Sequence, residues 1–440
     1  MRSFGVAIFA VLLLGGCAPG ASVSTGLPSG VSSPTPRGSS SAVPSTSTVM
    51  PTASPTAQGA AGWAAELCSR SLVFIDDQHG WLAEPTGAAS SVVYVTDDGG
   101  VTWQRQLTVP YLIDELDFVN ASDGWAVGMI STAPSATAQG FLRTTDGGVT
   151  WSPAGLPDGP LPCVDFVGNE AGFAVTEAGA LLATIDGGMS WAPVSAGPGI
   201  YVDSACFEGT TLGWVVAGQP QGGGLGIYRT QDGGGHWDLQ YSASWLTGAP
   251  VGCNGGTVWV GVHLGAGAGS NFNEYVRTAD GGAHWIPPPS PAPLGEDFAD
   301  APGPFQVVNP ATVKIATGSD FGSPGLETAV DSQTGAPFAI PMPSDLGGAG
   351  FVEALSFVDP LHGWVLVGGP EMIDGSAATS QGGVPLLAAE RPGVDRHAIL
   401  TGGGGPFVDY VFSTTDGGHS WRQLARFTYT IPTPTATDGG

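Results

Sequence analysis

The chain has 440 residues, 38 of them acidic and 12 basic, for a formal net charge of −26. That balance excludes nucleic acids and acidic polymers as partners, because the whole surface would repel them. Only 11% of residues are charged and 71 are glycine, so Gly, Ser, Thr, Asn and Gln must carry the surface, while the acidic excess favours solubility.

The amino end reads as an export signal. Arg2 supplies a positive start, Phe4–Leu14 is apolar, and Leu14-Gly15-Gly16-Cys17 follows. The apolar run is too short to span a membrane as a mature helix and fits a signal peptide. Leu-Gly-Gly-Cys resembles the lipobox of bacterial lipoproteins. The resemblance implies a lipoprotein signal peptide over residues 1–17, cleaved so that Cys17 becomes the lipidated amino terminus, and a head anchored to the cell membrane on its outer side. The alternative is an ordinary signal peptide with a chance cysteine. Residues 18–62 are Ser, Thr, Pro, Ala and Gly with almost no charge. They bury too little apolar surface to order themselves and predict a semi-extended, disordered linker. The head is expected over 63–430, with a tail at 431–440.

Within the head one phrase returns six times, beginning as Thr96-Asp97-Asp98-Gly99-Gly100-Val101-Thr102-Trp103. Its tryptophans are Trp103, Trp151, Trp191, Trp237, Trp285 and Trp421, spaced 48, 40, 46, 48 and then 136 residues apart. Its aspartates are Asp98, Asp146, Asp186, Asp232, Asp280 and Asp416. A period of 40–50 residues means a repeat architecture. The Asp accepts backbone N–H groups within its own turn, the glycines permit positive φ, and the Trp buries a ring. The phrase resembles the Asp box, or bacterial neuraminidase repeat, of the sialidase-like propellers. The resemblance implies an all-β fold, and places these aspartates in structural turns away from any active site.

A second phrase sets the register. Phe74, Phe118, Phe166, Phe207 and Phe357 each precede Gly-Trp or Gly-Phe by a short turn, and each pair precedes an Asp box. Val251–Val262 fills the same place in a fifth repeat. Val307–Ile315, followed by Thr328–Gly335 as a decayed Asp box, marks a degenerate sixth near 303–343. The seventh carries an insertion at 369–406. The expectation is a seven-bladed β-propeller of four-stranded antiparallel blades, A to D, with the Asp box between C and D.

Five cysteines are present. Cys68, Cys163, Cys206 and Cys253 lie at or just before strand A of their blades. None shows Cys-x-x-Cys spacing, so zinc is not expected. Four cysteines allow three pairings. The reach of a disulfide favours Cys206–Cys253 with Cys68–Cys163, the alternatives being another pairing or four free thiols. Most histidines and tryptophans sit inside the repeat phrases and read as structural.

In A-B-C-D blades the A–B turns share one face with the Asp boxes. The variable loops, Met129–Gly140, His263–Asn273, Ile286–Pro304 and Gly369–Pro406, fall on the other. Variable loops on a rigid scaffold are where binding lives. Near the axis on that face the candidates are Asp114, Glu115, Asp203 and Glu353, joined by Arg391, Asp395, Arg396 and His397 of the insertion. The alternative is that the insertion is a disordered Gly-rich flap. Sialidases carry an Arg-Ile-Pro motif that does not occur here. Arg143, Arg229 and Arg277 each precede an Asp box, on the side away from the axis, and do not form a carboxylate clamp. A glycoside hydrolase using two axial carboxylates is the runner-up reading.

The cadence of both phrases over residues 68–427 is similar to the propellers related to the photosystem II stability and assembly factor. The resemblance implies a non-catalytic binding scaffold, without the basic patch of the photosynthetic members. The expected function is therefore a cell-surface, lipid-anchored scaffold for a protein or glycan. It is expected to be a monomer with no cofactor and no metal.

Overall fold

The computed structural model describes residues 70–431, less the stretches 288–303 and 378–404 and several shorter ones between strands. Cys17, Cys68, Arg391, Asp395, Arg396 and His397 lie outside the described residues, as do the expected signal peptide, linker and tail. The chain divides into residues 1–56 and 57–440; the second unit is described here. Among the described residues it is all-β apart from one short 3-10 turn at Ser344–Leu346.

Among the described residues the strands form seven antiparallel sheets in chain order, plus a two-stranded ribbon. The first sheet is typical, with strands Leu72–Phe74, Gly80–Gly87, Ser90–Thr96 and Gln104–Val109 side by side. We letter the strands of each sheet A to D. The remaining A strands are Leu112–Phe118, Cys163–Phe166, Val202–Glu208, Val251–Asn254, Phe305–Asn309 and Phe351–Phe357. The fifth sheet has three strands, and its D position is reduced to a bridge between Arg277 and Ile286. In the sixth the decayed Asp box is a tight hairpin, with Val330 opposite Gln333.

The Asp boxes form as their chemistry requires. In the first, Asp98 Oδ1 accepts from Thr96 Oγ1 at 2.9 Å and from the Thr102 amide at 2.8 Å, while Oδ2 accepts from Thr102 Oγ1 at 2.7 Å. Gly99 and Gly100 have φ of 71° and 88°, the left-handed region open to glycine. The Gly99 amide donates to Gln78 O, in the A–B turn of the same sheet, at 2.9 Å. This bond recurs in every intact box, for example from Gly147 to Ser122 and from Gly417 to Leu361. Each box is thus tied to the A–B turn beside it.

The core is divided into seams. Seven buried clusters each join one sheet to the next, and the seventh joins Trp364, Leu366 and Val411 of the last sheet to Leu72, Phe74 and Leu82 of the first. Across four seams the B-strand aromatic ring stacks on the A-strand Phe ahead of it. The pairs are Trp81 on Phe118 at 3.7 Å, Trp125 on Phe166 at 3.5 Å, Phe173 on Phe207 at 3.4 Å and Trp364 on Phe74 at 3.8 Å. Where this ring is an indole it also donates to the next Asp box: Trp81 to Gly147 O, Trp125 to Gly187 O and Trp364 to Gly99 O, at 2.9–3.0 Å. The deepest tryptophans are these B-strand rings; Trp81, Trp125, Trp214 and Trp259 are fully buried. The Asp-box tryptophans are only half-buried, and Trp103, Trp151, Trp191 and Trp237 meet the A-strand Phe edge-on, as Trp151 meets Phe118 at 6.0 Å.

A belt of side chains reinforces the seams. The residue before the A-strand Phe lies opposite the B-strand ring and reaches to the next sheet's A strand; in the sixth sheet the equivalent residue, Gln306, precedes Val307 and lies opposite Lys314. Asp117 Oδ2 accepts the Phe166 amide at 2.8 Å, and Asp165 Oδ2 accepts the Phe207 amide at 3.0 Å. Gln306 pairs with both backbone groups of Phe357, at 2.7 and 3.0 Å. Ser356 Oγ accepts the Phe74 amide at 2.8 Å. Between the fourth and fifth sheets the link is covalent: Cys206 is bonded to Cys253, with their Cα atoms 6.0 Å apart. Cys163 is also in a disulfide.

Candidate functional site

The face carrying the Asp boxes is built from short, fixed turns. The opposite face is where the sheets differ, and the differences are largely β-structure rather than loop. The stretch Met129–Gly140, expected as a loop, continues the B and C strands of the second sheet as a hairpin paired out to Ala133 opposite Ala136. The stretch His263–Asn273 does the same in the fifth sheet, out to Gly267 opposite Ser270. An extended hairpin arises here because both arms keep their strand pairing past the blade. The sequence signal was diluted by the Ala, Gly and Ser content of these arms.

Toward the same face, strand A is bulged in three sheets, and each time an acidic residue drops out of the pairing. These are Asp114, between Ile113 and Glu115; Asp203, between Val202 and Ser204; and Glu353, between Val352 and Ala354. A bulge re-aims the side chain it carries, so three of the four axial acids singled out in the sequence occupy equivalent positions. Asp114 and Glu353 are half-buried and Asp203 is buried. Glu353 stands beside Asp409 of strand C. A methyl group on Gly368 would lie 2.0 Å from Glu353 Oε1 and 2.2 Å from Asp409 Oδ1, so the glycine lets the two carboxylates approach each other over the strand.

Glu115 belongs elsewhere. It is buried in the seam between the second and third sheets, where its Oε2 accepts the Val164 amide at 3.0 Å. Burial pushes its carboxyl well above the usual range. Asp117 and Asp165, the belt carboxylates beside it, are raised for the same reason, Asp117 to about 6.

The base of the seventh-sheet insertion is held by a network that sequence reasoning missed. Arg426 of strand D donates to Tyr410 Oη at 3.0 Å, to Asp345 Oδ2 at 3.2 Å and to Glu371 Oε1 at 2.5 Å. Tyr410 also donates to Asp345. The Glu371 amide donates to Pro406 O at 2.9 Å, closing the stem. These residues come from four separate stretches of sequence, so no local motif marks them.

The three arginines preceding Asp boxes do not converge. Arg143, Arg229 and Arg277 each lie over the B-strand Trp of their own sheet, with Arg143 5.6 Å from Trp125. Arg143 reaches on to Asn169 O in the next sheet at 2.8 Å. Among the described residues no group of three or more His, Cys, Asp or Glu is arranged to hold a metal ion, and no helix is long and apolar enough to cross a membrane.

Comparison with known proteins agrees with the repeats. Residues 105–281 match the family model described as "Photosynthesis system II assembly factor YCF48", and residues 94–105 match that of the BNR/Asp-box repeat. The repeats are thus similar to BNR repeats, and the matched segment is similar to the photosystem II assembly-factor family. Among solved structures, similar chains include a YCF48 described as bound to D1 peptide, at 20% identity and TM-score 0.43, covering 68% of this chain and 91% of that one. YCF48 from Cyanidioschyzon merolae matches at 17% identity and TM-score 0.43, covering 68% and 94%. The β-propeller domain of the Trilobed protease from Pyrococcus furiosus matches at 10% identity and TM-score 0.47, covering 81% and 96%. Among curated proteins none matches.

Proposed function

We propose that this chain is an exported, lipid-anchored β-propeller of seven blades that binds a protein partner on the face opposite its Asp boxes, without catalysis. The seven sheets and the seven clusters joining them in sequence, last to first, support the blade count. The observation that carries the functional reading is the contrast between the two faces. One is locked by bonded turns in every intact repeat, while the other bears hairpin arms in the second and fifth sheets and the insertion in the seventh. Fixed turns on one side and length variation on the other are the arrangement of a scaffold that presents loops. The assembly-factor match over residues 105–281 favours a protein over a glycan as the partner. Anchoring rests on Cys17 and the export signal before it, and the acidic surface rejects nucleic acid.

A glycan hydrolase would need two carboxylates open to substrate. The adjacent pair Glu353 and Asp409 has Asp409 fully buried, which favours binding over hydrolysis.

The test uses the full chain, tagged and captured from native membranes. A second version has its two hairpin arms trimmed to tight turns. Proteins retained by the first and lost by the second support the reading. Equal capture by both overturns the choice of face, and turnover of fluorogenic glycosides by the full chain overturns the non-catalytic role.

A further inference from the structure

The belt that links the A strands is not chemically uniform. At three seams its members carry no charge: the disulfide Cys206–Cys253, Gln306 and Ser356. At the two seams joining the second, third and fourth sheets the members are carboxylates, Asp117 and Asp165, with Glu115 buried beside Asp117. Each gives one oxygen to a backbone N–H of the next sheet, and the other Glu115 oxygen, Oε1, is buried without a hydrogen bond. The cation facing this group is Arg70, just ahead of the first sheet, whose Nη1 is 3.9 Å from Asp117. Arg70 acts on all three acids from the first sheet, Glu115 acts on Asp117 from its own strand, and Asp165 acts from the third sheet. With all four groups ionised, three negative charges face one positive charge that is half-exposed, so the seam holds uncompensated buried charge.

We propose that these two seams form a proton-controlled joint, tight when the belt carboxylates are protonated at mildly acidic pH and loosened when they ionise toward neutral pH. A protonated carboxyl keeps one oxygen as acceptor for the amide ahead of it, so protonation removes the charge without breaking the belt. The direction agrees with the raised carboxyl of Asp117, near 6. A carboxyl raised on folding is protonated more often in the folded chain than in the unfolded one. Its contribution to stability is therefore present at low pH and is lost as pH rises through the folded value.

The experiment compares melting temperatures of the wild-type chain and Asp117→Asn across mildly acidic to mildly basic pH. Asparagine retains the acceptor for Phe166 and cannot ionise. The histidine–aspartate pairs at the turns, His79 with Asp76 and His362 with Asp359 among them, are common to both chains and drop out of the difference. The expected result is near-equal melting at about pH 4, a gap that opens between about pH 4 and pH 6, and a higher melting temperature for the variant near about pH 7.5. Parallel curves, or a variant that melts lower throughout, overturn the joint.

If the variant does not accumulate, amide exchange on the wild type decides. Protection at Phe166 and Phe207, whose acceptors are carboxylates, must fall relative to Phe357 and Phe74 as pH rises. The latter two bond to neutral Gln306 and Ser356. A constant ratio overturns the joint.

Discussion

Lys314 donates from Nζ to the carbonyl oxygen of Gly417 at 2.8 Å, across the seam from the sixth sheet to the seventh. Trp81, Trp125 and Trp364 make the same bond from indole nitrogens to Gly147, Gly187 and Gly99. Lys314 lies opposite Gln306 as Trp364 lies opposite Ser356. Its ammonium lies 5.0 Å from the centre of the Phe357 ring, which replaces the stacked indole with a cation over the same aromatic face. The chain's single lysine thus occupies a tryptophan's place in the one sheet whose Asp box has decayed.

Lys314→Met is expected to destabilise the head at neutral pH by about 1–3 kcal/mol, the range for leaving a buried acceptor unpaired. Burial lowers the Lys314 amine to about 8. Between about pH 8 and pH 10 the folded chain holds less of this proton than the unfolded chain, so wild-type stability should rise with pH and the deficit of the variant should widen. Denaturant melts at several pH values measure it; a deficit that narrows above about pH 8 contradicts the assignment.

The two classes of tryptophan should differ in weight. Trp125 is fully buried, stacks on Phe166 and donates to Gly187. Trp125→Ala is expected to cost ~3–5 kcal/mol. Trp151 is half-buried and meets Phe118 edge-on, so Trp151→Ala should cost roughly half as much. Equal losses in urea denaturation would place the Asp-box ring deeper than it lies here.

The Asp boxes should fail in acid. Thr184, Ser190 and the Ser190 amide all donate to Asp186, and hydrogen bonding holds its carboxyl down at about 2. A carboxyl lowered on folding contributes stability that is complete above its unfolded value and is lost as pH falls through the folded one. Asp186→Asn should therefore melt below wild type at neutral pH, and the gap should close as pH falls from about 4 toward about 2. A constant gap would assign the effect to shape rather than charge.

Cys206 and Cys253 are 47 residues apart. The double replacement Cys206→Ser with Cys253→Ser is expected to cost ~2–4 kcal/mol, the range for a closed loop of this size. Reducing agent should lower the melting temperature of the wild type by more than that of the double variant, which keeps the Cys163 disulfide. Replacing Cys163 as well should abolish the remaining effect of the reducing agent.

Much of the architecture was readable because its chemistry is local. Thr, Asp and Gly within eight residues satisfy one another, so the turn announces itself wherever the phrase occurs, and Phe followed by Gly-Trp fixes the neighbouring strands. The positions of Asp114, Asp203 and Glu353 were legible from the same register. The belt was not, because one structural position is filled by Asp, Cys, Gln and Ser, which share only the ability to reach across a seam. Lys314 was hidden for the same reason: its equivalence to Trp is in the atom it donates from, not in its residue class. Glu115 lies next to the bulge at Asp114, and a shift of one residue separates a side chain aimed at the open face from one sealed between sheets.

Among the described residues each sheet takes its main strands from one continuous stretch of chain, and the first and last sheets exchange none. The junction between them is made by side chains, by Trp364 on Phe74 and Ser356 on the Phe74 backbone, and so resembles every other seam. The place where synthesis starts is therefore not privileged. Chains rearranged to begin at the third or fourth sheet, with Ile431 linked to Arg70 by a flexible tether, retain every described strand pairing within a sheet. The original junction can in turn form only after the last sheet has been made, so it is the last seam to close as the chain is synthesised.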